Sequence, residues 1–136
     1  LWDARNGQEV KRLEGANLGS RLEMSSSEDH IAISTGPAPP VLLTFPGLEP
    51  VLEIGGGRRN GMDVAFHPTE PVVMSQFVQG SLNSINYKTG RRGAPLELPN
   101  HAASPFLSEV SEIAYSRDGS LLAAANSRGQ IRVWRK

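Results

Sequence analysis

Three histidines are the first candidates for chemistry in this sequence, at His30, His67 and His101. A metal site needs several ligands that converge on one point. The strand pattern set out below places His30 and His67 at one end of the strands and His101 at the other end. The chain has no cysteine, which removes thiolate ligands, cysteine nucleophiles and disulfides together. We therefore expect no metal and no other cofactor.

Two further segments suggest catalytic or phosphate-binding motifs. Gly55–Gly61 is rich in glycine, but Asn60 interrupts the Gly-x-Gly-x-x-Gly pattern, and a strand pattern follows where a phosphate loop needs a helix. The segment is better interpreted as a connection, although the neighbouring Arg58 and Arg59 could still bind an anion. The acidic pair Glu28–Asp29 falls in a turn pattern, and no Gly-x-Ser-x-Gly motif occurs. We expect a chain that is not an enzyme.

Charge and composition narrow the partners. Lys and Arg together number 14, as do Asp and Glu, so the chain has no net charge to attract nucleic acid or an anionic membrane. No apolar run approaches the roughly 20 residues of a membrane span. No Asn-x-Ser/Thr sequon is present, which favours a cytoplasmic over a secreted location.

An internal repeat organises the second half of the sequence. Residues 61–85 align without a gap with residues 110–134, and Val64–Phe66 falls on Ile113–Tyr115. Apolar and turn positions agree, so each copy predicts strand, turn, strand, turn, strand. The expected elements of this half are strands at Ser111–Tyr115, Leu121–Asn126 and Gln130–Trp134, turns at Arg117–Ser120 and Ser127–Gly129, and a fourth strand of the earlier copy at Ala94–Leu98.

The first half repeats the same rhythm less clearly. Trp2–Gly7 predicts the end of a strand and a glycine turn, and Glu9–Leu13 alternates as the next strand. Val41–Phe45 and Val51–Ile54 predict another pair of strands around Pro46-Gly47. Arg21–Ser27 is compatible with a short helix, but a strand fits its place in the repeat better.

These segments resemble the WD40 family. Leu1–Gly7 resembles the end of a WD repeat, including the Trp-Asp pair, and Val110–Trp134 resembles the first three strands of a repeat. The resemblance implies an all-β, incomplete WD40-like β-propeller with four-stranded antiparallel blades. Its expected parts are the end of a blade at 1–14, a degenerate blade at 15–54, a blade at 55–98 and a blade lacking its outer strand at 99–136.

The sequence departs from the hydrogen-bonded His, Ser/Thr, Asp and Trp set that is typical of the family. The last blade keeps Trp134 but has Ala124 and Arg128 in the hydroxyl and Asp positions, and the preceding blade keeps Ser75. We therefore expect each blade to depend more on apolar packing and to be less rigid. Trp2 and Trp134 are expected to pack between blades.

About three blades do not close a ring, because closed propellers usually have four to eight. The chain is then either part of a longer protein or associates with itself. The family often closes its ring with an N-terminal strand that completes the last blade, and an arbitrary cut of the repeat is the alternative. A propeller enzyme would need acids or histidines that converge on the central axis, and the sequence indicates none.

The resemblance implies that the loops of one face, called the upper face here, bind other proteins. We expect a non-catalytic protein-protein interaction scaffold; an accessory propeller domain of a larger enzyme or signalling protein is the alternative. The expected partner is a protein or peptide, acidic or phosphorylated, although solvated arginines remain an alternative. The candidate partner-binding residues are Arg58, Arg59, Asn60, Gln79, His101 and Arg128, and Arg91 and Arg92 are expected on the opposite rim.

Overall fold

The structure is a computed structural model, and it describes residues 1–13, 21–35, 38–54, 63–78, 81–97 and 110–135. Within these ranges every element is a β-strand. The strands are β1 (Arg21–Met24), β2 (His30–Thr35), β3 (Ala38–Thr44), β4 (Pro50–Glu53), β5 (Val64–Phe66), β6 (Val72–Val78), β7 (Ser81–Asn86), β8 (Leu96–Glu97), β9 (Val110–Tyr115), β10 (Leu121–Asn126) and β11 (Ile131–Arg135). No helix in the described ranges is long and apolar enough to cross a membrane.

The strands form three antiparallel sheets in chain order. The first sheet runs β1-β2-β3-β4, the second runs β5-β6-β7-β8, and the third contains β9, β10 and β11. The strand predicted at Leu121–Asn126 is confirmed, and β1 confirms a strand rather than a helix at the start of Arg21–Ser27. The first strands of neighbouring sheets, β1, β5 and β9, lie next to one another. The sheets are therefore arranged as blades around these inner strands.

The turn between the first and second strands is built in the same way in all three sheets. Its closing backbone bonds are Ser25 N to His30 O at 2.9 Å, His67 N to Val72 O at 2.8 Å and Ser116 N to Leu121 O at 2.9 Å. In the first and third sheets a serine hydroxyl also accepts the N–H of the first residue of the second strand, from His30 to Ser25 at 3.0 Å and from Leu121 to Ser116 at 2.9 Å. The second sheet differs here, because the N–H of Val72 donates to the backbone oxygen of Glu70 at 2.7 Å and the Nδ1 of His67 accepts the N–H of Glu70 at 3.0 Å.

The turn between the third and fourth strands is also repeated. Its backbone bonds are Asp3 N to Gln8 O at 2.8 Å, Thr44 N to Glu49 O at 2.9 Å and Asn86 N to Arg91 O at 2.9 Å. Each turn contains one residue with positive φ, namely Gly7 at 69°, Leu48 at 56° and Gly90 at 71°. Residues 1–10 therefore form the kind of turn that joins a third to a fourth strand in the blades. This turn precedes β1, so it does not belong to any of the three sheets.

The core lies between sheets, because alternate residues of each strand face opposite sides. The first interface, between the first and second sheets, buries Ala32, Leu42, Ile54, Val64, Phe66, Val73, Ile85 and Tyr87. The second interface, between the second and third sheets, buries Ala65, Met74, Leu82, Val110, Ile113, Leu122 and Ala124. Apolar contacts between blades thus hold the three sheets together.

Two expectations for the N-terminal segment are wrong. Glu9–Leu13 is not a strand, since only a single bridge joins Glu9 to Trp2. Trp2 does not pack between blades, because its side chain is 62% exposed. The described chain has no sheet on that side of the first blade. Trp134, also expected to pack between blades, does pack against the second interface and is half-buried.

Candidate functional site

Most of the candidate partner-binding residues cannot be placed. Arg58, Arg59, Asn60, Gln79 and His101 lie outside the described residues. Arg128 is described and is exposed in the turn between β10 and β11. The expected grouping of Arg58 and Arg59 with Arg128 therefore stays a prediction.

The turn that carries Arg128 is fixed by Asn126. The Asn126 side-chain oxygen accepts the N–H of Arg128 at 3.1 Å and that of Gln130 at 3.0 Å. The Asn126 amide donates to the Gln130 side chain at 2.8 Å. Gly129 has a φ of 75°, a conformation that glycine adopts without steric cost. An asparagine amide thus stabilises this turn and holds the backbone of Arg128 in a defined, solvent-facing position.

Arg91 and Arg92, which we expected on the rim opposite Arg128, lie just after the turn that follows β7. Both side chains are exposed, and Arg92 forms a bridge with Ile85. In an antiparallel sheet the turns before and after one strand lie at opposite ends. The expected separation of Arg91 and Arg92 from Arg128 stays a prediction.

A charged cluster joins the inner strands at the upper end. The Nε of Arg21 lies 2.9 Å from Asp63 Oδ1, and its Nη2 lies 3.1 Å from Glu112 Oε1. The other oxygen of Asp63, Oδ2, accepts the backbone N–H of Ile113 at 2.6 Å. One carboxylate therefore links β1, β5 and β9. We call Arg21, Asp63 and Glu112 the inner-strand cluster.

Burial controls the electrostatics of this cluster. Asp63 is 2% exposed, and burial raises the pKa of its carboxyl group, opposed by the hydrogen bond from Ile113 and the charge of Arg21. Burial also raises the pKa of Glu23, whose carboxylate accepts the N–H of Phe66 in the next sheet at 3.0 Å. Two carboxylates on inner strands thus each bind a backbone N–H of the following blade.

This cluster was not predicted from the sequence. The sequence did contain a signal, because the gap-free alignment places Asp63 on Glu112. The cluster was missed because the repeat alignment relates Asp63 to Glu112 but does not identify Arg21 as the residue that contacts both. Among the residues that the structure describes, no three His, Asp or Glu side chains are grouped so that they could hold a metal ion.

His30 and His67 lie at the end of the strands where the strand pattern placed them, and His101 lies outside the described residues. His30 and His67 both flank first-to-second-strand turns, at the lower rim. The Nδ1 of His30 lies 2.8 Å from Asp29, and hydrogen bonds from Ser27 and then His30 hold the pKa of Asp29 well below its usual range. The acidic pair Glu28–Asp29 is thus part of a turn, as expected. The Asp29 carboxylate is hydrogen-bonded by residues of that same turn.

A cleft of about 290 Å³ lies between the second and third sheets at the lower rim. Its lining includes His67, Tyr115 and Trp134. The rings of His67 and Tyr115 lie 4.9 Å apart in an edge-to-face contact. Burial raises the pKa of Tyr115 to about 12. The Nε2 of His67 is buried without a hydrogen-bond partner against Gly119, so the imidazole packs against the third sheet without a hydrogen bond from this atom.

Comparison with known proteins gives a fold and no family. No protein-family model matches the sequence, and no curated protein matches it. Among solved structures, a chain in the crystal structure of the mitotic checkpoint complex matches with a TM-score of 0.74 and 15% identity. The fold is an incomplete WD40-like β-propeller. The match covers 98% of this chain and 39% of that chain, so this chain spans about two fifths of its neighbour.

The propeller is stabilised differently from the pattern that the resemblance implied. Ser75 is buried and its hydroxyl donates to the backbone oxygen of Asp63 at 3.1 Å. Ala124, in the corresponding position of the third blade, instead packs in the second interface. Polar links between neighbouring blades, through Asp63 and Glu23, are added to the apolar packing.

Proposed function

We propose that this chain is a non-catalytic protein-interaction scaffold that binds partners through the loops of its upper face. The carrying observation is the Arg128 turn, in which the Asn126 side chain fixes the backbone at and beside an exposed arginine. Loops on a rigid scaffold commonly hold binding residues. The similar chain of known structure comes from a protein complex, which supports a protein partner.

The proposed partner is an acidic or phosphorylated protein segment. A guanidinium group binds carboxylate or phosphate with paired hydrogen bonds, so an exposed arginine favours such groups. Arg58 and Arg59 precede β5 in the chain, in a connection between blades. Together with Arg128 they would provide several positive charges to one extended segment.

The inner-strand cluster limits where such a segment would bind. Arg21 is already paired with Asp63 and Glu112, and Glu23 adds a further carboxylate nearby. Carboxylates therefore outnumber the arginine near the inner strands, and an acidic segment would be repelled there. We propose that it contacts the outer part of the upper face, around Arg128.

The test is charge reversal on the two rims. One variant combines Arg58→Glu, Arg59→Glu and Arg128→Glu, and the control combines Arg91→Glu and Arg92→Glu. Both are compared with the unchanged chain on an array of phosphoserine peptides, glutamate-substituted peptides and their unmodified counterparts. We expect the first variant to lose at least about tenfold in affinity and the control to bind as the unchanged chain does.

Salt gives a second measurement, because added ions screen exposed charges. Binding of the phosphoserine peptides should weaken as salt increases. If both variants bind as the unchanged chain does, or if only the control loses affinity, the proposed arginine face is wrong. The propeller fold would remain, since it does not depend on these side chains.

A further inference from the structure

The two interfaces between sheets are filled by side chains of different size. The equivalent turn bonds align the first sheet with the second, and this alignment places Leu42 on Ser84. Leu52, which pairs with Leu42, falls on Gly93, whose backbone N–H donates to the Ser84 backbone oxygen at 2.9 Å. A buried leucine and its partly buried leucine neighbour in the first sheet are thus replaced by a serine and a glycine in the second.

The residues packed against these positions differ in the opposite sense. In the first interface Ile85 packs with Leu42 and Leu52 and is 3% exposed. Trp134 has the equivalent position in the third sheet, and it lines the cleft of the second interface together with Ser84. The indole ring is larger than an isoleucine side chain, yet Trp134 stays half-buried. The ring therefore does not fill the space beside Ser84, and a cleft of about 290 Å³ remains there.

This space, which we call the inter-blade cleft, has one aromatic and one mainly aliphatic wall. The aromatic wall carries Tyr115 and Trp134, and both pair with Leu122 in one row across the third sheet. The other wall combines apolar side chains of β6 and β8 with Ser84. A Cβ at Gly93 would overlap the Ser84 hydroxyl, so this wall stays low at that point. Mostly apolar concavities with a few polar groups are typical of small-molecule sites, whose volumes begin at about 300 Å³.

The charged side chains of the inter-blade cleft lie at its lower rim. Burial, and after it the charge of Glu70, raises the pKa of Tyr115, so Glu70 acts on the end of the cleft near that ring. Arg135 follows Trp134 in β11, lines the cleft and forms no ion pair within the described part of the chain. A negatively charged group is therefore repelled near Tyr115 and attracted beside Trp134. A guanidinium group binds a carboxylate with paired hydrogen bonds.

We propose that the inter-blade cleft binds a small aromatic carboxylate, with its ring between Ser84 and the Trp134 indole and its carboxylate at Arg135. The aromatic wall favours an aromatic ligand, because paired rings are stabilised beyond the burial of their area alone. The ligand ring covers the half-buried indole, as the two leucines of the first sheet cover Ile85. Arg128 is not part of this lining, so the binding does not depend on the scaffold function proposed above.

Tryptophan fluorescence detects this binding directly. The chain has two tryptophans, so Trp2→Phe leaves Trp134 as the reporter. The probe is 3-phenylpropanoate, and it is compared with 3-phenylpropanamide, 3-phenylpropylamine and the aliphatic 4-methylpentanoate. We expect 3-phenylpropanoate to change the Trp134 emission in a saturable way and the other three compounds to bind at least about tenfold more weakly. Equal binding of any of the three overturns the ligand class, and no saturable change with 3-phenylpropanoate overturns the site.

Two substitutions at one position test the location. Ser84→Leu introduces the side chain that the first sheet has at Leu42, and it should weaken binding of 3-phenylpropanoate at least about tenfold because it fills the cleft. Ser84→Ala keeps the space open and should bind within about twofold of the unchanged chain. Circular dichroism checks that both variants remain folded. A folded Ser84→Leu chain that binds as the unchanged chain does overturns the location.

The charge is tested independently of the packing. Arg135→Gln, at an exposed side chain, should weaken binding of 3-phenylpropanoate at least about fivefold and remove its advantage over the amide. Arg91→Gln, at another exposed arginine, should leave binding unchanged. If Arg135→Gln binds as the unchanged chain does, the inference is overturned, even where Ser84→Leu fails to fold. Binding of an acidic pentapeptide with a central phenylalanine, without binding of 3-phenylpropanoate, also overturns it and assigns the cleft to a protein segment.

Discussion

Asp63 and Glu112 occupy the same position in successive blades, and their surroundings differ sharply. Asp63 is 2% exposed, whereas the Glu112 side chain is 66% exposed. Asp63 is followed by another blade, whose Ile113 donates a backbone N–H to it. Glu112 has no described blade after it. A carboxylate at this position is thus buried, and accepts a backbone N–H from the following blade, only where that blade is present.

The two tryptophans show the same dependence on a neighbour. Trp2 and Trp134 both fall at the end of a third strand in the repeat. Trp134 packs against the second interface, while Trp2 is 62% exposed beside the open face of the first sheet. Identical residue types in one repeat position therefore differ in burial because of their neighbours. In this fold the contribution of a residue to stability depends on the pair of blades that it joins.

The largest expected effect is the loss of the Asp63 carboxylate. Asp63→Ala leaves the N–H groups of Val64 and Ile113 without this acceptor and removes one of the two carboxylate partners of Arg21. We expect the free energy of unfolding to decrease by about 3 kcal/mol. Glu112→Ala, at the equivalent exposed position, should cost less than about 1 kcal/mol. Urea unfolding of both variants measures the difference, and equal effects would contradict the role of the following blade.

The tryptophan pair should show the next largest difference. Trp134→Ala removes a half-buried ring from the second interface, and we expect a loss of about 2–3 kcal/mol, below the value for a fully buried tryptophan. Trp2→Ala should change stability by less than about 0.5 kcal/mol, and the exposed Arg91→Ala serves as a further control. Thermal and urea midpoints provide the measurement. A large effect of Trp2→Ala would show that its ring is covered in solution.

The sequence predicted the elements that depend on local pattern. Turn glycines and alternating apolar residues gave β9, β10 and β11, because a hairpin is determined by a few neighbouring residues. The burial of Trp2 was predicted wrongly, since it depends on a blade that the described chain does not contain. The Arg21–Asp63 pair was missed because it joins distant segments that no repeat alignment relates.

Two turn glycines distinguish the cost of backbone strain from the cost of a clash with the neighbouring blade when glycine is replaced by alanine. Gly119 and Gly129 both have a φ of 75°. A Cβ at Gly119 would lie 2.4 Å from the His67 ring of the second sheet, whereas a Cβ at Gly129 would meet nothing within 4 Å. Gly129→Ala should cost about 1 kcal/mol through backbone strain alone, and Gly119→Ala should cost about 2 kcal/mol. Equal losses in urea unfolding would mean that the His67 ring moves aside.

The smallest expected effect concerns acid, and it distinguishes carboxylates bonded within one turn from those bonded across blades. Hydrogen bonds from Ser116 and then Ser120 lower the pKa of Asp118 to about 2, from an ordinary value of 3.8. A lowered pKa in the folded state means that the unfolded chain binds the proton more readily. The stability contributed by Asp118 is therefore present above about pH 4 and is lost as the pH falls toward 2.

Asp63 should behave in the opposite sense, because burial raises its pKa and its contribution is lost as the pH rises through that value. We expect Asp118→Asn to flatten the decrease of the urea midpoint between pH 4 and pH 2. Arg21→Gln should raise the pKa of Asp63 further, since a lowering charge is lost, and should leave the Asp118 titration unchanged. Carboxyl carbon NMR titration of both residues measures this. A change in the pKa of Asp118 in the Arg21→Gln chain would show that the Asp118 turn is coupled to the inner strands. That result would contradict our expectation, because the hydrogen bonds that lower this pKa all lie within the turn.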